Sequence, residues 1–101
     1  MIYFSWDPKK AAANPRKHKG ITFIAARKVF FDPHVFRYPY VHEGEDQWRA
    51  VGVTADKRGR PVLVTVPHEL QEDDGDEYIH IISAWPTTPE EARRYRVENG
   101  F

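Results

Sequence analysis

The stretch from Trp48 to Val66 constrains the fold more than any other. Trp48 to Thr54 alternates as a half-buried strand does, Asp56-Lys57-Arg58-Gly59-Arg60 supplies turn chemistry, and Pro61 to Val66 is a valine-rich return. Two strands joined this closely pair antiparallel, because parallel neighbours need a crossover of a dozen residues or more. The other elements must therefore be packed around an antiparallel hairpin.

Tyr78 to Trp85 reads as the strongest strand, and Pro86 ends it. Met1 to Trp6 is a further strand of β-branched and aromatic residues. Val35 to Val41 contains Pro39, which restricts it to a sheet edge. His42 to Asp46 reads as a polar loop. Glu69 to Glu77, with six acids, reads as a solvated one.

Helices fill the gaps. Asp7 caps a helix that Pro8 opens, since proline at the first helical position loses only an amide that had no partner. Pro15 should kink or restart this helix near Asn14, because it clashes with the carbonyl of Ala11. Gly20 suits a left-handed end. Thr22 caps a second helix with Phe23, Ala26, Val29 and Phe30 on one face, stopped at Asp32-Pro33. Thr88-Pro89 starts a short C-terminal helix to about Val97. The result is an α+β class: an antiparallel β-sheet packed against two N-terminal helices, with a short C-terminal helix, in one domain over residues 1–101.

The charge balance is zero, but it is unevenly placed. From Met1 to Tyr38 eight Lys and Arg face two acids; from Pro39 onward seven face thirteen. Surface charge often only solvates a face, yet this asymmetry also suits an anionic partner for the first half. No cysteine is present, which excludes disulfides, thiolate catalysis and Cys-based zinc sites. No nucleotide-binding glycine loop or nucleophile elbow occurs, and the five histidines form no i, i+4 pair, so no metal or cofactor is expected. No apolar run reaches the ~20 residues of a membrane span and no signal-peptide pattern opens the chain, so a cytoplasmic location is expected.

What remains is basic and aromatic. Lys9, Lys10, Arg16, Lys17, Arg58 and Arg60 can line a phosphate groove. Tyr38, Tyr40, Trp48, Trp85 and Tyr95 are either core or stacking platforms for unpaired bases. His18, His68 and His80 carry the right chemistry for proton transfer near neutrality. Lys17 and His18, in the last turn of the first helix, either complement its dipole or face a ligand.

The pattern Trp6-Asp7-x-x-Lys10, Asn14, Lys17-His18 with Gly20, Phe23-x-x-Ala26 and Phe30-x-Asp32-Pro33 resembles the opening of the BrnT family. Trp48-x-Ala50-x-Gly52, the strand Ile79 to Ala84, and a helix with Glu91 and Tyr95 continue the resemblance in order along nearly the whole chain. It implies a ribonuclease toxin of a bacterial type II toxin–antitoxin pair with a RelE-like fold. It also implies a ribbon-helix-helix, BrnA-like antitoxin partner that carries the DNA contact, and an RNA substrate; the histidines and basic residues already noted are sufficient for cutting RNA without metal.

The resemblance and the basic and aromatic inventory together suggest roles. His80, His18 and Tyr95 are the catalytic candidates; Lys10, Lys17, Arg58, Arg60 and Trp85 are the RNA-binding ones. This chain departs from the family pattern by carrying His80 and Trp85 where arginines are usual, and by placing Lys19 between His18 and Gly20. The alternative is a weakened or inactive binding module that pairs with an antitoxin and serves autoregulation of transcription.

Overall fold

A computed structural model describes residues 1–100; Phe101, the last residue of the expected 1–101 domain, lies outside them. The elements are β1 (Ile2–Trp6), α1 (Pro8–Lys17), α2 (Phe23–Val29), β2 (Phe36–His42), β3 (Glu45–Ala55), β4 (Pro61–Asp73), β5 (Asp76–Ile81), β6 (Trp85–Pro86) and α3 (Pro89–Glu98). The class is α+β. The strand order is β1-β5-β4-β3-β2, with β6 paired to β4.

The sheet is mixed, not purely antiparallel as expected. β2 to β5 are joined by hairpins and run antiparallel, but β1 pairs parallel to β5, placing Phe4 beside Ile79 and Trp6 beside Ile81. β1 has no hairpin partner in sequence. The long path through α1 and α2 leaves its direction to be set by packing.

Two expected loops are tight hairpin turns. Glu43 and Gly44 (φ 50° and 79°) join β2 to β3, and Asp74 and Gly75 (φ 50° and 83°) join β4 to β5. Positive φ at both central residues matches the right-handed twist of the flanking strands. The acidic run from Glu69 to Glu77 is therefore strand and turn. Alternation turns Leu70 into the core, while the Met1 ammonium meets Asp76 at 3.1 Å and Arg37 pairs with Glu77 at 2.7 Å. Conversely, Tyr78 to Trp85 is not one strand: it breaks after Ile81 and resumes at Trp85. Pro39 lies on edge strand β2, as its missing amide requires.

The core lies between α2 and one face of the sheet. Phe23, Ala26, Val29 and Phe30 pack on Ala50, Val64, Val66, Ile79 and Ile81, and Ala11 of α1 joins them. Burying a phenylalanine such as Phe23 contributes about 2–3 kcal/mol. The helix approaches closely at Gly52, where a Cβ would sit 3.0 Å from both the Val29 carbonyl oxygen and its Cγ1. Thr54 Oγ1 donates to the Ala25 carbonyl beside it.

Of the kink or restart expected at Pro15, there is no restart: α1 runs unbroken from Pro8 to Lys17 with Pro15 inside it. Asn14, the residue before it, is buried and fixed on every side. Its Nδ2 donates to the carbonyls of Ile21 (2.8 Å) and Ala84 (2.9 Å), and its Oδ1 accepts from Ser83 Oγ and the Ala84 amide (both 3.3 Å). These bonds hold the turn in which proline removes a backbone bond. They also tie the end of α1 to the segment that breaks β5 from β6.

Candidate functional site

The bond set of Asn14 positions one side of the first cleft. Lys9, Lys10, Ala13, Lys17 and His18 of α1 and its cap face Ile82 and Ser83 across a space of about 380 Å³. Asp7 accepts from the Lys9 amide at 2.8 Å and Thr22 from that of Ala25 at 3.0 Å, so both N-caps expected from the sequence are present. Three lysines and a histidine line this cleft with no carboxylate among its lining residues. It is a cationic surface suited to a phosphate.

A second cleft of about 680 Å³ adjoins it, between β2, β3, β6 and the start of α3. Tyr38, Tyr40 and Trp85 supply rings, Arg49 and Arg94 cations, Glu90 and Glu91 carboxylates. The Arg49 guanidinium lies 3.6 Å from the Tyr40 ring centroid and 5.1 Å from that of Trp85; Arg94 lies 4.3 Å from that of Tyr38. Cations over ring faces attract the aromatic quadrupole and are held in place.

Glu91 organises this cleft. It completes a capping box with Thr88 and accepts from Trp85 Nε1 at 3.4 Å and from Tyr38 Oη at 3.4 Å, with Arg49 Nη1 at 3.7 Å. Burial alone would raise its pKa, but donation from the Thr88 amide and hydroxyl and from Trp85 outweighs burial, and the pKa falls below the ordinary carboxylate value. The Tyr38 hydroxyl is raised, chiefly by burial. Arg49 Nε is buried without a hydrogen-bond partner. Leaving a donor unpaired costs about 1–3 kcal/mol, so this cation is not held there by hydrogen bonding alone.

The two clefts meet where His18 of one contacts Trp85 of the other. The rings of His18 and Trp85 are 5.9 Å apart. His80 faces a third, smaller cleft, its Nδ1 2.9 Å from Ser5 Oγ and its strand partner Glu69 beside it. Simple alternation would put His80 and Trp85 on opposite faces. The break after Ile81 resets it: Trp85 pairs with Thr65 and His80 with Glu69, four residues along β4 and on one face, roughly 13 Å apart.

The structure thus brings Lys10, Lys17, His18 and Trp85 together. Arg58 and Arg60 sit apart on the β3–β4 turn, where Arg60 pairs with Asp56 at 3.2 Å; the neighbouring Lys57 side chain lies against Gly20, next to the end of α1. Tyr95 is 5% exposed, and its hydroxyl donates to Asp32 at 2.7 Å, with its pKa pushed up to about 12 by burial and that carboxylate. Its ring offers no open face to a base. His68 is fully buried against Phe30, and burial pushes its pKa down to about 4, so it does not titrate near neutrality as the sequence suggested. Trp48 alternates with Arg49 along β3 and is half-buried outside the core cluster, where it lines a separate surface pocket with Pro39 and Tyr40.

Arg49, Arg94 and the carboxylate of Glu91 were not singled out by sequence reasoning as site residues. The available signal was alternation: Arg49 lies out of phase with Ala50 and Gly52, on the same face as Val51 and Val53, and so faces Trp85.

A cationic cleft is thus set beside an aromatic one on a small α+β scaffold. A family model described as the ribonuclease toxin BrnT of type II toxin–antitoxin systems matches residues 6–91, and the chain belongs to that family. Membership makes it a toxin of the ribonuclease type and implies an antitoxin partner. No curated protein matches the chain. No helix among the described residues is long and apolar enough to cross a membrane.

Proposed function

We propose that this chain is a cytoplasmic endoribonuclease toxin that cuts RNA without metal and is neutralised by a ribbon-helix-helix, BrnA-like antitoxin. The observation that carries the cleavage reading is the placement of His18 between the lysines of one cleft and the Trp85 ring of the other. In this reading Lys10 and Lys17 hold the scissile phosphate, and Arg58 and Arg60, apart from them on the β3–β4 turn, contact RNA away from the cleaved bond. The His18 imidazole takes the proton of the 2′-hydroxyl. The 2′-oxygen bonds to phosphorus, the bond from phosphorus to the 5′-oxygen breaks, and a lysine ammonium protonates the leaving oxygen. The products are a 2′,3′-cyclic phosphate and a 5′-hydroxyl.

Comparison of His18→Ala with His80→Ala tests the assignment. Loss of general-base catalysis lowers the cleavage rate by about 10²-fold or more in the His18 variant, with folding retained, and leaves the His80 variant within a few-fold of wild type. The opposite ranking would move the chemistry to the Ser5–His80 cleft. A second reading, an antitoxin-binding module that does not cut RNA, is favoured by one observation: Trp85 puts an indole, not a cation, at the junction of the clefts.

A further inference from the structure

Resting on the ribonuclease reading, we propose that the cleft formed by Tyr38, Tyr40, Trp85, Glu90 and Arg94 is a guanine-recognising subsite that sets where RNA is cut. The two adjoining clefts differ in kind. One has three lysines and no carboxylate; the other balances two arginines with two glutamates and has aromatic walls. A phosphate belongs in the first. A neutral, flat, hydrogen-bonding ring belongs in the second.

The polar groups of the second cleft then divide. Glu91 is occupied by Thr88, Trp85, Tyr38 and Arg49, and Arg49 is pinned face-down on Tyr40. Both are part of the wall. Glu90 and Arg94 are exposed on the rim, one turn apart on α3. That spacing often yields an ion pair, yet here the two do not pair with each other. Arg94 is stacked by its guanidinium over Phe36 (5.1 Å) and Tyr38 (4.3 Å), which holds the group in place; among the described residues its donors make no hydrogen bond and the Glu90 carboxylate makes neither hydrogen bond nor ion pair.

A forked donor and a free carboxylate about one helical turn apart complement guanine on two edges. The guanidinium matches O6 and N7, and the carboxylate accepts from N1–H and N2–H. Adenine offers the Glu90 carboxylate only its exocyclic amine, and the pyrimidines are too small to span both groups. Stacking on Tyr40 or Trp85 supplies affinity without choosing a base; Glu90 and Arg94 supply the choice.

The test uses the four nucleoside 5′-monophosphates as probes, titrated into the intact protein with the Trp85 indole N–H resonance as reporter. The expected result is about tenfold tighter binding of GMP than of AMP, with weaker response still to CMP and UMP. Glu90→Gln, an exposed change that leaves the fold intact, should reduce that ratio to about two- or threefold. Mapped cuts in RNA should fall at a fixed offset from guanine and lose that bias in the same variant. Equal affinity for all four nucleotides, or a GMP preference untouched by Glu90→Gln, overturns the proposal. Cleavage without base bias overturns the subsite and leaves the ribonuclease reading standing; a GMP preference in a protein that cuts no RNA does the reverse.

Discussion

The imidazole of His18 and the indole of Trp85 meet at a tilt of 50° with their centroids 5.9 Å apart, one ring at the end of α1 and the other at the start of β6. Through this contact a lining residue of the cationic cleft meets a lining residue of the aromatic one. A base stacked in the second would bring the adjoining phosphate to the first.

Trp85 should therefore matter as a ring and not as a donor. Trp85→Phe removes only the long indole bond to Glu91, and cleavage should stay within about threefold of wild type. Trp85→Ala removes the stacking surface, worth about 1–3 kcal/mol per base, and cleavage should fall about tenfold or more. Steady-state cleavage of a short RNA by both variants checks the pair.

Asn14 is the strongest stability prediction. Asn14→Ala leaves the Ala84 amide and the Ile21 and Ala84 carbonyls without their side-chain partner in a buried place. The expected loss is about 3 kcal/mol, read in urea as a lower midpoint with unchanged slope. Because Asn14 also joins α1 to Ser83, cleavage by the folded fraction should fall as well.

His68 gives the fold a definite pH dependence. Its pKa is about 4 in the fold, against 6.5 for a free histidine, because burial disfavours the cation. The unfolded chain then takes up the proton first as pH falls. The contribution of neutral His68 is complete above about pH 6.5 and declines as pH drops from there toward 4, by a total on the order of 3 kcal/mol. His68→Gln should flatten that segment of the stability profile, whatever its own stability at neutral pH. Asp32 and Glu91, both depressed, add losses only at lower pH, as they become protonated below the ordinary carboxylate range.

Local chemistry in the sequence was legible wherever it decided the structure. Asp7-Pro8, Thr22 and Thr88 start the helices, and the apolar face of α2 is the core face. The acidic segment misled because composition outweighed a turn signal: Asp74-Gly75 is a dipeptide that favours a two-residue hairpin, and six acids around it only make the hairpin polar. The parallel pairing of β1 was hidden because no local feature sets it. His68 could have been placed, since it continues the Val62-Val64-Val66 alternation into the core. The site was harder to read. Lys10, Lys17, His18 and Trp85 come together through the side-chain bonds of a single buried asparagine, and Arg49 looks in sequence like any solvated strand cation.

The central claim is that the chain itself performs metal-free RNA cleavage, and incubation of the purified, antitoxin-free protein with RNA in EDTA tests it most directly. The account predicts discrete fragments ending in 2′,3′-cyclic phosphates, lost in His18→Ala. Intact RNA after incubation with a demonstrably folded sample would contradict it.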